Sequence, residues 1–319
     1  MIDLKTENLL INKEVNENLE SILKRKAFSN GYIFYGPEGI GKKQTAMKFI
    51  MEIFNKYSSN SNIEKKIIDK NHPDFLLIEP TYFFKGNLIN RSEAEPSKNN
   101  KETIRIEQIR NLKTFLGQKS IESDGKIILI DDAHLLNEAA SNCLLKTLEE
   151  PTNGLFILLT SRLNLLLDTI ISRCQLIRFK SLSQKQLSIF IKNNSGSSIF
   201  NITEEFNLKD FLTSANGSPG KLLNDLKIWN ELPIEIKNNL DFPLHDTLEI
   251  LKISKLISEE LEIHQQIFLI NFLQNKYWEK TNKESIVKKL EDLKLHLKSF
   301  IQPRLAWEVT LLKIAIEDL

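Results

Sequence analysis

The stretch Gly31–Thr45, GYIFYGPEGIGKKQT, constrains the fold more than any other in the chain. An apolar-aromatic run ends in glycine, a turn follows, and a helical pattern runs from about Lys42 to Phe54. The turn fits G-x-x-x-x-G-K-[S/T], in which backbone N–H groups and a helix N-terminus cradle phosphates. Gly36, Gly41 and Lys42 meet the pattern, with Gly39 inside the turn, and Lys42 would reach the β- and γ-phosphates. The next position breaks it. Lys43 stands where a Ser or Thr oxygen should hold magnesium, and an ammonium group has no acceptor to offer. Thr45 is no substitute, because two helical residues turn a side chain by roughly 200°. The expectation is a phosphate loop that binds weakly and does not support metal-assisted hydrolysis. The bland alternative is a glycine turn before a helix.

Four more apolar runs share the character of GYIFY: DFLLIEP, KIILIDD, LFILLTS and QLIRF. They are continuous rather than alternating, and helical patterns separate several of them. That argues for a parallel sheet covered on both faces. The helical patterns are residues 15–28, IRIEQIRNLKTFLGQ and NEAASNCLLKTLEEP, the last stopped by Pro151. Residues 57–73 and 85–103 are rich in Ser, Asn and Lys and read as loops. The character changes after about residue 180. Residues 183–230 form a small helical pattern around GSPGK, and the chain is helical from about 245. One stripe is Ile286, Leu290, Leu293, Leu297 and Phe300, in steps of four and three. Pro303 should break it before a last helix from about Leu305. The expected organisation is an α/β module over 1–180, a helical unit over 181–240 and an all-helical unit over 241–319.

Basic and acidic residues balance at 43 and 42, a net charge of +1, so bulk charge does not point to DNA or membrane binding. The two cysteines, Cys143 and Cys174, have no CxxC spacing and cannot make a four-thiolate zinc site. The first residues lack the pattern of a secretory signal, and runs such as LFILL are too short to span a bilayer. A soluble, cytoplasmic protein is expected.

Asp131 and Asp132 end the run KIILI, where carboxylates face the crevice in which such sheets bind ligands. Asp131 fits a magnesium-holding carboxylate. Asp132 stands where related ATPases place a glutamate that orients water, and it is one methylene shorter. Alone, the pair reads equally well as a solvated loop opening. Thr160 and Ser161 follow the next strand and are placed to sense a γ-phosphate. Arg173, in SRC, is either a surface arginine or a finger that completes a neighbour's site. Lys221, in GSPGK, either reaches a phosphate or is solvated. Cys174 reads as a buried small residue.

The loop at Gly36–Lys42, HPDF at 72–75, IRIEQIR, IDDAHLLNEAASNCLLKTLEEP and TIISRCQLIRF together resemble the bacterial DNA polymerase III clamp-loader subunits, the delta-prime type above all. The resemblance is strong over residues 1–180 and weak beyond, through GSPGK and PRLAWE. It implies an AAA+ module, a lid domain and a helical collar that joins a five-subunit ring with motor and delta-type subunits. That ring places the sliding clamp on primed DNA. Delta-prime does not drive the cycle itself; its SRC arginine, here Arg173, completes the adjacent motor's site. Departures are the absence of cysteine over 50–104, Lys43, and Lys221 where active relatives commonly carry arginine. No cofactor is then required, ATP binding is at most weak and zinc is not expected. Two rival readings are an active AAA+ motor subunit and a P-loop small-molecule kinase.

Overall fold

Among the described residues, seven strands occur in chain order: β1 (Gly31–Tyr35), β2 (Phe75–Ile78), β3 (Thr81–Phe84), β4 (Asn87–Asn90), β5 (Lys126–Ile130), β6 (Gly154–Thr160) and β7 (Gln175–Arg178). The computed structural model describes residues 12–25, 28–57, 62–84, 87–90, 102–150, 154–194, 208–238, 246–299 and 302–318. The five apolar runs form one parallel sheet in the order β2-β5-β6-β1-β7. The chain divides into two compact units, residues 1–181 and 182–319.

The helices of the first unit are α1 (Lys13–Arg25), α2 (Lys42–Tyr57), α3 (Ile63–Ile68), α4 (Ile106–Gly117), α5 (Glu138–Glu149) and α6 (Asp168–Ile171). Successive residues of β1 point to opposite sides of the sheet, and both sides are covered. Tyr32 and Phe34 face Phe49 of α2, with ring centroids 6.1 and 6.5 Å away. Ile33 joins Ile128, Ile130 and Leu158 in the cluster that Ile109 of α4 and Leu144 of α5 complete. This is why the strands read as continuous apolar runs.

Two segments read as loops contain structure. Residues 57–73 include α3, whose Ile63 and Ile67 are buried one turn apart. Residues 85–103 include β4, which pairs antiparallel with β3. Polar composition masked both, because each element is short. The HPDF segment has a local task. The Asp74 carboxylate accepts hydrogen bonds from the backbone of Ile121, Glu122 and Ser123 at 2.9, 2.7 and 3.0 Å, fixing the turn before β5. Burial opposes its charge, but these bonds hold Asp74 below the usual carboxylate range. His72 stacks on Phe54 of α2, with ring centroids 4.3 Å apart.

Among its described residues the second unit has helices and no strand: α7 (Gln184–Asn194), α8 (Leu208–Ser214), α9 (Pro219–Glu231), α10 (Ile234–Asn238), α11 (Thr247–Glu260), α12 (Ile263–Thr281), α13 (Glu284–Lys298) and α14 (Pro303–Asp318). Ser218 caps α9 and Pro219 follows at its first position, which explains GSPGK as a helix start. Pro303 likewise opens α14. Phe211 of α8, Trp229 of α9 and Phe272 of α12 form an aromatic cluster with centroids 5.0–5.6 Å apart. Trp307 of α14 donates to Gln266 of α12 at 2.9 Å, and Gln266 donates to the Leu261 carbonyl at 2.8 Å. The α13 stripe Ile286, Leu290, Leu293 and Leu297 is buried. Its fifth member, Phe300, lies outside the described residues, as does Pro151.

Candidate functional site

The glycine turn leaves the C-terminal end of β1 and enters α2 directly. Gly36 has φ 152°, and a Cβ there would lie 2.3 Å from the Phe179 carbonyl oxygen, so only glycine fits. Gly39 and Gly41 have φ 70° and 92°. The Gly36 N–H donates to the Thr160 carbonyl at 3.3 Å, and the Phe179 N–H to the Tyr35 carbonyl at 2.8 Å. The turn is therefore pinned between β6 and the segment after β7. Lys42 Nζ donates to the Gly36 and Pro37 carbonyls at 2.8 and 2.6 Å. Burial pushes its pKa down, against the pull of Asp132, Glu38 and Asp131.

Magnesium at this loop does not fit the residues present. Lys43 Nζ lies 2.8 Å from Asp131 Oδ2 and 2.7 Å from Glu79 Oε1. The other oxygen of Glu79 pairs with Lys70 at 2.5 Å. Burial works against the Lys43 charge, but Asp131 and Glu79 outweigh it and hold the ammonium above the usual lysine range. Burial would also raise Glu79, yet Lys43 and Lys70 hold it below the usual carboxylate range. Thr45 is buried, and its hydroxyl donates to the carbonyl of Gly41, the residue before α2, at 3.0 Å. Among the described residues no group of three or more His, Cys, Asp or Glu is placed to hold a metal ion. Glu79 was not among the residues singled out from the sequence. It follows β2 as Asp131 follows β5, so the strand-end argument applied to Asp131 finds it too.

Asp132 follows in the left-handed region, φ 46°, and starts the 3-10 turn Ala133–Leu135. Its N–H donates to Asp131 Oδ1 at 3.1 Å. The Thr160 hydroxyl is fully buried at the end of β6. It accepts from the Arg162 N–H at 3.0 Å and lies 3.4 Å from His134 Nδ1. Burial pushes the His134 pKa down. His134 is a second neighbour that the sequence reading passed over, although it sits two residues beyond the acidic pair.

Arg173 is at the opposite end of the sheet. It precedes β7, whose Gln175 pairs with Tyr32 at the start of β1, while the glycine turn leaves the far end of β1. With roughly 3.3 Å per strand residue, about 15 Å of sheet separates the two levels. Arg173 donates to Glu149 Oε1 at 2.6 Å and to the Thr169 carbonyl at 2.9 Å. Both charged side chains are exposed, at 37% and 47%. Leu165, Leu167 and Leu176 are exposed in the same stretch of chain. Cys174 is partly buried and its thiol is pushed up to about 11 by burial. A pocket of about 250 Å³ also opens at this end of the strands, lined by Asn30, Gly125 and Gly154 among others, and contains none of the glycine-turn residues.

Lys221 belongs to the second unit. Its ammonium donates to the Ser214 carbonyl at 2.5 Å, capping the end of α8. Asp225, one turn further along α9, accepts from the Ser214 hydroxyl at 3.3 Å. Burial pushes Asp225 up to about 6, with Lys221 and Ser214 opposing. No helix among the described residues is long and apolar enough to cross a membrane.

Comparison with known proteins agrees with this architecture. A DNA polymerase III gamma subunit-related protein from Thermotoga maritima superposes with a TM-score of 0.54 over 94% of this chain and 99% of that one, at 14% identity. The shared architecture is the AAA+ type of α/β module followed by helical domains. In sequence, the chain is 30% identical over 188 residues to the DNA polymerase III subunit delta' of Bacillus subtilis, covering 55% of this chain and 51% of that one. It is 32% identical over 157 residues to the Pseudomonas aeruginosa delta' subunit, covering 47% and 43%. The Bacillus subtilis tau subunit is nearly as similar, 29% over 182 residues, covering 57% of this chain and 30% of that one. The matched stretch thus spans about half the length of the delta' relatives, and less of tau. The family described as DNA polymerase III, delta subunit, matches residues 11–183, more than half of the chain. The family described as cyanobacterial DNA polymerase III delta prime, C-terminal domain, matches residues 191–314. The chain belongs to the DNA polymerase III delta-prime subunit family of AAA+ clamp-loader proteins.

Proposed function

We propose that this protein is a non-hydrolysing subunit of the DNA polymerase III clamp loader and that it supplies Arg173 to the nucleotide site of an adjacent subunit. The observation that carries the reading is the placement of Arg173. It sits on an exposed rim, at the opposite end of the sheet from its own glycine turn, so it has no route to a phosphate bound there. A guanidinium offers planar, permanently charged donors to a phosphate across an interface. The exposed leucines around it suit a surface covered by a partner.

The protein's own turn supports the other half of the reading. Gly36, Gly39, Gly41 and Lys42 retain the shape of a phosphate loop, and Asp131, Asp132 and Thr160 surround it. Lys43 occupies the face of Asp131 that a metal would need. Nucleotide binding is then weak at best, no cofactor is required, and no zinc is held. Lys221 serves its own unit rather than a phosphate. The similarity to tau keeps an active motor in view, but Lys43 and the delta-prime match over 191–314 favour the passive subunit.

Residues 1–180 act as the AAA+ module, with residues 181–240 as lid and 241–319 as collar. On α14, Leu305, Val309 and Ile316 are exposed and fall within about 40° of one another around the helix, opposite buried Trp307 and Leu311. Such a stripe suits packing against the collars of the other subunits in a five-membered ring, with the sliding clamp and primed DNA reached through that complex. The first test is co-assembly. The full chain mixed with the motor and delta-type subunits should elute in one loader complex. Separate elution under conditions where the other subunits associate would contradict the reading.

A further inference from the structure

We propose that the Lys43 ammonium is a tethered counter-ion that has replaced the divalent cation at this end of the sheet, so that the site is held together without metal and closed to it. The proposal rests on reading the turn as a non-hydrolysing phosphate loop. Asp131 and Glu79 stand at the C-terminal ends of neighbouring strands, whose last residues, Ile130 and Ile78, are in register. Two half-buried carboxylates brought together in this way repel each other unless a cation lies between them. Lys43 Nζ contacts an oxygen of each, at 2.8 and 2.7 Å, and does so from the first turn of α2. It therefore ties the start of the helix to both strand ends.

The arrangement is a chain of alternating charge, Lys70–Glu79–Lys43–Asp131, and not a single exposed pair. Every acidic member has a cation on at least one oxygen. A divalent ion at Asp131 would have to displace an ammonium whose stem is fixed one residue from Lys42. It would gain no hydroxyl ligand in return, since Thr45 is turned back onto Gly41. A lysine at this position is thus more than the loss of a ligand: it supplies the positive charge itself.

The test uses the isolated full chain and the metal alone. Thermal unfolding of wild type, Lys43→Thr and Lys43→Thr/Asp131→Asn is measured with and without millimolar MgCl2 against an ionic-strength control, and Mn2+ binding is followed by spin resonance. Wild type should show no magnesium-specific shift and no Mn2+ binding at this site. Lys43→Thr should lose several degrees in Tm, regain most of them in MgCl2 and bind Mn2+. Both gains should vanish when Asp131→Asn is added. If Lys43→Thr does not fold, Lys43→Thr/Glu79→Gln removes one repelling charge and should fold with a smaller magnesium gain. A magnesium shift in wild type that Asp131→Asn removes would overturn the proposal, as would a folded Lys43→Thr that gains nothing from metal. Steady ATP turnover by the wild-type chain would instead overturn the non-hydrolysing reading beneath it.

Discussion

Two cations in the first unit, Lys43 and Arg173, each meet carboxylates, and the difference between them is instructive. Lys43, its own side chain 40% exposed, pairs with two strand-end carboxylates that are only 25% and 18% exposed. Arg173 stays on the rim with one exposed carboxylate and one backbone carbonyl. The first arrangement uses its charge completely within the chain. The second holds its charge loosely, at an exposed edge, where a partner's anion can compete for it. The same sheet thus ties up a lysine at its glycine-turn end and presents an arginine at the other.

The comparison can be broken first by stability. Lys43→Met keeps the stem and removes the charge, leaving Asp131 and Glu79 facing each other. The expected loss is about 1–3 kcal/mol, below the range for a fully buried pair because Lys43 is partly exposed. Urea unfolding at pH 7 measures it. The sign of its pH dependence follows from Glu79, which is held below its ordinary value of 4.5. That contribution is present above the ordinary value and is lost as pH falls through the lowered one. The gap between wild type and Lys43→Met should therefore narrow in acid; a gap that widens would show that Glu79 is not part of the network.

Asp225 sharpens the same point from the second unit, as a buried carboxylate that its cation does not fully serve. Lys221 spends its ammonium on the Ser214 carbonyl, and Asp225 is pushed up from 3.8 to about 6. A raised carboxylate favours the folded state below its unfolded value, and that stability is lost as pH rises through the folded value. Asp225→Asn should then stabilise the protein by about 1–2 kcal/mol at pH 8 and by almost nothing at pH 3, below the ordinary carboxylate value of 3.8. Equal effects at both pH values would mean that the charge of Asp225 is not the cause.

The smallest effect belongs to the rim. Glu149→Gln removes the partner of Arg173 from an exposed pair, and exposed pairs contribute about 0.2–1 kcal/mol at most. A change in unfolding free energy below about 0.5 kcal/mol is expected. A loss as large as that of Lys43→Met would make Arg173 a structural residue and erase the contrast.

Burial is two-sided in the central strands β1, β5 and β6, which made them the most legible, whereas the edge strand β7 buries only Ile177. Five continuous apolar runs gave all five strands of the main sheet, and the Leu290 and Leu293 stripe lies buried in the second unit. Short elements escaped. Ile63 and Ile67 make less than two turns, and β4 is a four-residue strand in a polar, asparagine-rich stretch, so composition hid their pattern. At the site, Lys43 was legible as the wrong chemistry for magnesium, because that follows from residue type alone. Its pairing with Glu79 was not, since it depends on strand order: β2 neighbours β5 although some fifty residues separate Glu79 from Asp131 in sequence. Parallel pairing of β7 with β1 puts Arg173, which precedes β7, at the opposite end of the sheet from the glycine turn, which follows β1, and the linear sequence does not reveal this.

The most direct test sets the two ends of the sheet against each other in one assay. Arg173→Ala and Lys42→Ala are each reconstituted with wild-type loader subunits, and DNA-stimulated ATP turnover is measured on complexes shown to be fully assembled. Arginine fingers elsewhere contribute on the order of 10³–10⁵ in rate. Because other sites in the ring keep working, Arg173→Ala should remove the share of turnover from a single interface, and Arg173→Lys should restore little of it. Lys42→Ala should leave turnover unchanged. Unchanged turnover with Arg173→Ala in an intact ring, or loss of turnover with Lys42→Ala, would contradict a subunit whose own loop is closed and whose arginine serves a neighbour.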